Sequence, residues 1–130
     1  MLGFIRLLNL LLLGMKLSVY EFKDLYRTYV IIEHDNPKVL EFFSKLDLQS
    51  ARRIALSLIG KVTSVKLSKG KMMYGDEEMD FVYLSVETMG EGDYKLEVYP
   101  RSATLETNSG PEKAYKVARK LMEVAPSAKV

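Results

Sequence analysis

One histidine, no cysteine and scattered carboxylates leave this 130-residue chain few groups that could do covalent or metal chemistry. Without thiols there is no disulfide, no thiolate metal site and no cysteine nucleophile. A lone imidazole excludes any centre that needs two. His34 has Glu33 and Asp35 beside it, the company of a proton relay or a metal ligand. Its place between an apolar run and Asn36-Pro37 gives instead a solvated histidine in a strand-to-helix turn. Asp76, Glu77, Glu78 and Asp80 supply hard oxygen ligands but lack the spacing and central glycine of a calcium loop, so they form a solvated hairpin tip. Ser68-Lys-Gly-Lys71 lacks the leading glycine and the following helix of a phosphate loop. No dinucleotide fingerprint, His-Glu-x-x-His helix or serine with an adjacent base occurs. The residues name no catalytic group, no metal and no cofactor, and the reading leans away from an enzyme.

The positive signal lies in alternation. Along Phe81 to Thr88, Val82, Leu84 and Val86 share one face of a strand while Phe81, Tyr83, Ser85 and Glu87 share the other. Tyr94 to Tyr99 repeats the pattern, with Leu96 and Val98 inward and Lys95, Glu97 and Tyr99 outward. Thr63, Val65 and Leu67 alternate with Ser64, Lys66 and Ser68. The outward set therefore gathers Lys66, Phe81, Tyr83, Lys95, Tyr99 and Arg101. Aromatic rings among cations on an open sheet can stack bases while lysine and arginine meet phosphates. The expected function is a non-enzymatic binding module, with nucleic acid as the favoured ligand. The alternatives are a protein assembly module, whose face is covered by the N-terminal segment or a second subunit, and a small-ligand binder.

The elements that must position these residues are well punctuated. Arg27 to Glu33 is a strand rich in Tyr, Val and Ile. Asn36 caps a helix with Pro37 at its first position, and Asp47 caps a second that Gly60 ends. Lys69-Gly70-Lys71 and Gly75 to Glu78 are loop signals around a short Met72–Tyr74 piece. Gly90 to Asp93 turns the chain, Pro100 ends a strand, and Ser102 to Thr107 alternates again. Ser109-Gly-Pro-Glu112 has the spacing of a capping box. It opens a long helix with Ala114, Val117, Ala118, Leu121, Met122 and Ala125 as its apolar stripe. Glu112–Lys116 and Arg119–Glu123 are spaced as ion pairs on its wet side, and Pro126 stops it. The expected class is α+β: an antiparallel sheet of about five strands, packed on one face by helices, in the order β-α-α-β-β-β-β-α.

Residues 1–17 stand apart as a Leu-rich segment with Arg6 and Lys16 as its only charges. Three readings fit: an over-called start with Met15 as the true one, a packed helix, or a membrane anchor. The uncharged run from Leu7 to Met15 is nine residues, short of the ~20 that span a bilayer. Residues 18–130 then form a single domain. Charge is segregated, with nine Lys/Arg against four Asp/Glu over residues 27–74 and two against nine over residues 75–107. One Gln and three Asn hint at a thermophile, against seven Met. A cytoplasmic homodimer is expected, because the sheet edges invite pairing.

The order strand, two helices, four strands, long helix over residues 27–125 resembles one repeat of the TATA-box-binding protein fold. The local echoes are Leu46-Asp-Leu48, Arg53-Ile-Ala-Leu56 and Ala114-Tyr-Lys-Val-Ala-Arg-Lys-Leu121. The resemblance implies a sheet whose underside meets nucleic acid, as that family's two-repeat saddle grips the DNA minor groove with wedge phenylalanines. This chain has one such repeat. Phe81 is its one outward phenylalanine, and Tyr83 stands where a second wedge would be sought, so minor-groove reading does not carry over. A helix-grip fold, which encloses an apolar ligand, has a similar order with more strands.

Overall fold

A computed structural model describes residues 5–12, by their backbone, and residues 14–124. Strands β1 (Ile5–Leu12), β2 (Met15–Phe22) and β3 (Arg27–His34) precede helices α1 (Pro37–Ser44) and α2 (Leu48–Leu58). Strands β4 (Val62–Tyr74), β5 (Glu77–Thr88), β6 (Asp93–Val98) and β7 (Ser102–Thr107) lead into α3 (Pro111–Val124). All strands join one antiparallel sheet in the order β1-β2-β3-β7-β6-β5-β4. The class is α+β, as expected. The sheet consists of two meanders, β1–β3 and β4–β7, joined along the β3–β7 seam.

Period-two alternation decides which face is core. Val19, Val30, Leu105, Leu96, Leu84 and Leu67 sit side by side across six strands on the inner face. Ile32, Ala103, Val98 and Val82 form a parallel row beside them. Against these rows pack Val39, Leu40 and Phe43 of α1, Ala51 and Ala55 of α2, and Ala114, Val117, Ala118, Leu121 and Met122 of α3, all in one apolar cluster. The caps behave as their chemistry requires. Asn36 Oδ1 accepts from Lys38 N–H at 3.0 Å, Asp47 Oδ1 accepts from Ser50 N–H at 2.7 Å, and Gly60 follows α2 with φ 73°.

Several expectations are corrected. The sheet has seven strands rather than about five, because the Leu-rich start adds β1 and β2 instead of a packed helix. Met15, Leu17 and Val19 are buried at every second position, which only a strand allows, and Gly14 at φ 79° makes the turn before them. A boundary between residues 17 and 18 would cut through β2. Lys69-Gly70-Lys71 is not a loop but lies inside β4, opposite Asp80 to Val82. A Cβ on Gly70 would meet the Phe81 ring at 2.8 Å, so the missing side chain seats the ring. The capping box does not form: Ser109 Oγ donates to the Glu91 carbonyl, and Ala114 N–H reaches the Gly110 carbonyl. Neither Glu112–Lys116 nor Arg119–Glu123 closes among the described residues. Lys113 pairs with Glu91 at 3.1 Å instead, and Arg119 donates to the Tyr115 hydroxyl at 3.4 Å.

Candidate functional site

With the helices on one face, no other described element covers the opposite face of the sheet, and the same alternation that builds the core sets its residues. One row runs Tyr20, Tyr29, Glu106, Lys95, Ser85, Lys66 from β2 to β4. The next runs Ser18, Ile31, Thr104, Glu97, Tyr83, Ser68. A third holds Lys16, Glu33 and Ser102, with Phe81 beside Gly70 at the far side. Lys66, Phe81, Tyr83 and Lys95 thus occupy the outer face, while Tyr99 and Arg101 flank Pro100 at its rim.

The six candidates do not form one uniform patch. Phe81 and Tyr99 stack with ring centroids 6.3 Å apart, tilted by 27°. The Tyr99 hydroxyl donates to Glu97 Oε2 at 2.6 Å, and this bond, burial and the carboxylate charge push its pKa up to about 12. Lys95 lies between Glu106 and Ser85, and Lys66 is exposed on the edge strand. Arg101 is exposed in the turn after Pro100. A groove of about 480 Å³ opens there, with Met72, Met79, Tyr74 and Tyr99 as its apolar walls and Glu77 and Arg101 among its polar residues.

Residues outside the expected set complete the face. Tyr20, Phe22, Tyr29, Ile31 and Thr104 line a shallow apolar groove of about 350 Å³, with the rings of Phe22 and Tyr29 5.1 Å apart. Burial and the nearby Glu106 raise the Tyr29 pKa. At one end Arg27 closes a three-strand ion cluster, its Nη1 on Asp93 at 2.7 Å and its Nε on Glu106 at 2.8 Å. Burial opposes the Arg27 charge, but hydrogen bonds to Asp93 and Glu106 outweigh it and the pKa rises. The signal for these residues was the alternation of Met15 to Phe22, hidden by the leucines before it.

Across the face, Lys16, Lys66 and Lys95 are matched by Glu33, Glu97 and Glu106, so the surface carries both signs in balance. No group of three or more potential metal ligands gathers among the described residues, and none of their helices is long and apolar enough to cross a membrane. His34 Nδ1 is engaged locally, accepting from Asn36 N–H at 3.0 Å. No protein-family profile, curated protein or solved structure matches the chain.

Proposed function

We propose that this protein is a non-enzymatic assembly module, and that the open face of its sheet buries against a second copy of the same chain. The observation that supports this is the balance of charge on a half-buried aromatic face. A self-pairing surface must be its own complement, which requires both signs within one patch. A phosphodiester chain crossing the middle of this sheet would meet Glu97 and Glu106 and lose affinity at each. The apolar groove around Ile31 supplies the dry centre that an interface core needs.

The test is the mass in solution across micromolar concentrations, together with Ile31→Glu. The dimer should dissociate in the variant, whose fold is checked by its unchanged circular dichroism. A wild-type protein that stays monomeric overturns the proposal.

Nucleic acid remains the second reading because of one corner, where the stacked Phe81–Tyr99 pair lies near Arg101. It predicts salt-sensitive binding of single-stranded RNA or DNA, weakened ~5- to 150-fold by Tyr83→Ala or Tyr99→Ala. Lys66→Ala would lower the salt dependence by about one phosphate contact. Such binding by the wild-type monomer would replace the assembly reading.

A further inference from the structure

The hairpin of β4 and β5 runs on past its neighbour in the sheet. β6 pairs with β5 from Val82 to Glu87 only, whereas β4 stays paired with β5 as far as Tyr74 and Glu77. Residues 70–81 therefore form a two-stranded arm, and a ribbon of two strands is at best marginal in water by itself. Its polarity is reversed relative to the sheet it grows from. In the body of the sheet Val65, Leu67, Val82 and Leu84 point to the helices, while Lys66, Ser68, Tyr83 and Ser85 point away. Past Gly70 and Phe81 the sense is exchanged. Met72, Tyr74 and Met79 take the outward side with Phe81, and Lys71, Glu78 and Asp80 take the other. The ladder from Ser64 to Tyr74 has no register shift, so strict alternation fixes these sides.

The charged side of the arm is satisfied within the chain, with Lys71 Nζ 3.6 Å from Glu78 and 3.8 Å from Asp80. The apolar side is not. Tyr74 is 72 % exposed, and across the groove of about 480 Å³ stand only Tyr99, Pro100 and the turn that follows. Arg101 and Glu77 line the same groove, both exposed, and neither has an ion-pair partner among the described residues. The charges narrow what can cover this side. Asp76, Glu77 and Glu78 at the tip repel an anionic membrane surface or a phosphodiester chain. One arginine and one carboxylate on an apolar patch are instead each other's complement.

We propose that the outward side of this arm docks against the same side of the arm of a second copy, closing the groove between them. The inference rests on the reading of the chain as a self-assembling module and adds a second contact to the one at the sheet centre. Both lie on the same side of the sheet, so one partner covers both. A twofold contact sets each patch against its own copy. Met72, Tyr74 and Met79 then meet like side chains and form a dry centre, backed by the stacked Phe81 and Tyr99 rings. Arg101 of one protomer pairs with the carboxylate at position 77 of its partner, and symmetry supplies the reciprocal pair. The reversal of polarity at Gly70 is thereby accounted for: the arm turns its apolar side to the partner because the helices of its own chain do not reach it.

The experiment measures the dissociation constant of the full chain by sedimentation across micromolar concentrations. Met72→Thr combined with Met79→Thr keeps strand propensity but removes apolar surface, and should raise that constant roughly 10-fold or more. Glu77→Arg sets two arginines against each other and should raise it roughly 10-fold. Adding Arg101→Glu should bring it back close to the wild-type value. Rescue of this kind separates a lost contact from a damaged fold, and circular dichroism should be unchanged throughout. Ile31→Glu separates the two contacts. If it splits the dimer while the arm variants stay as tight as the wild type, the arm contact is overturned and the sheet-centre reading stands. If the arm variants dissociate, the charge swap rescues them and Ile31→Glu has no effect, the arm contact stands and the sheet centre falls. A charge swap that stays weak overturns the pairing of the two arms. A wild-type monomer overturns both contacts. Uptake of the dye anilinonaphthalene sulfonate by such a monomer, lost in Met72→Thr with Met79→Thr, would give the groove to a small apolar ligand instead.

Discussion

At the scale of single residues, the open face is governed by side-chain pairs that bind donor to acceptor, some along one strand and some across strands. Tyr99 and Glu97 give the sharpest prediction. The tyrosine pKa stands at about 12 against an ordinary 10.0, so the folded state favours the protonated phenol. That contribution is complete below the ordinary value and disappears as pH rises through the folded one. Difference absorbance between wild type and Tyr99→Phe should show one tyrosine ionising late, and Glu97→Gln should return it towards the ordinary range. A Tyr99 that titrates normally in the wild type would show the bond is not made in solution. Arg27 gives another test: Arg27→Ala should cost about 1–3 kcal/mol in denaturant unfolding, because it leaves Asp93 and Glu106 side by side and partly desolvated. Adding Glu106→Gln should recover part of that loss. Period-two alternation made the outward side of Tyr99 and Lys95 legible in the sequence. The ion cluster was not legible, since Arg27 and Glu106 are separated by 79 residues and only the β3–β7 pairing brings them together.

At the scale of elements, the sequence spoke clearly wherever a residue type has one mechanical use. Asn36-Pro37, Asp47 and Gly60 bracket α1 and α2 as their chemistry dictates. It misled where tertiary contacts overrode local preference. Glycine between two lysines is a turn signal, yet the Phe81 ring takes the place of a side chain at Gly70 and β4 runs on past it. Leucine is a strong helix former, and the run Leu10-Leu-Leu-Leu13 hid a strand that exists because β2 offers it a hydrogen-bonding edge. Because β1 pairs with β2 alone among the described strands, a chain beginning at Met15 should keep its cooperative thermal transition, with α3 still packed over β2, β3 and β7. Loss of that transition would make β1 part of the core. Leu84→Ala, in the middle of the inner row, should instead cost ~2–5 kcal/mol while leaving the outer face in place.

At the scale of the whole molecule, segregation by segment did not become segregation by side. Residues 27–74 are basic and residues 75–107 acidic, but antiparallel pairing interleaves them, so Arg27 meets Glu106 at 2.8 Å and Lys71 reaches Glu78 at 3.6 Å. Net charge therefore does not describe either face, and the distinction between the sheet side and the helix side does. The arrangement of two meanders has a kinetic consequence as well. Each meander closes through short turns, but the seam between β3 and β7 must join positions some 79 residues apart. Closing a loop of that length costs roughly 2 kcal/mol more chain entropy than closing a ten-residue turn. The seam should therefore form at the folding barrier. Val30→Ala and Leu105→Ala, which face each other across it, should slow refolding by most of their effect on stability. Leu67→Ala, on the far edge strand, should act mainly by speeding unfolding. Two halves that hold their own turns but wait on a single encounter would spend the refolding interval with both inner faces bare, and in that interval the chain is most open to a wrong partner.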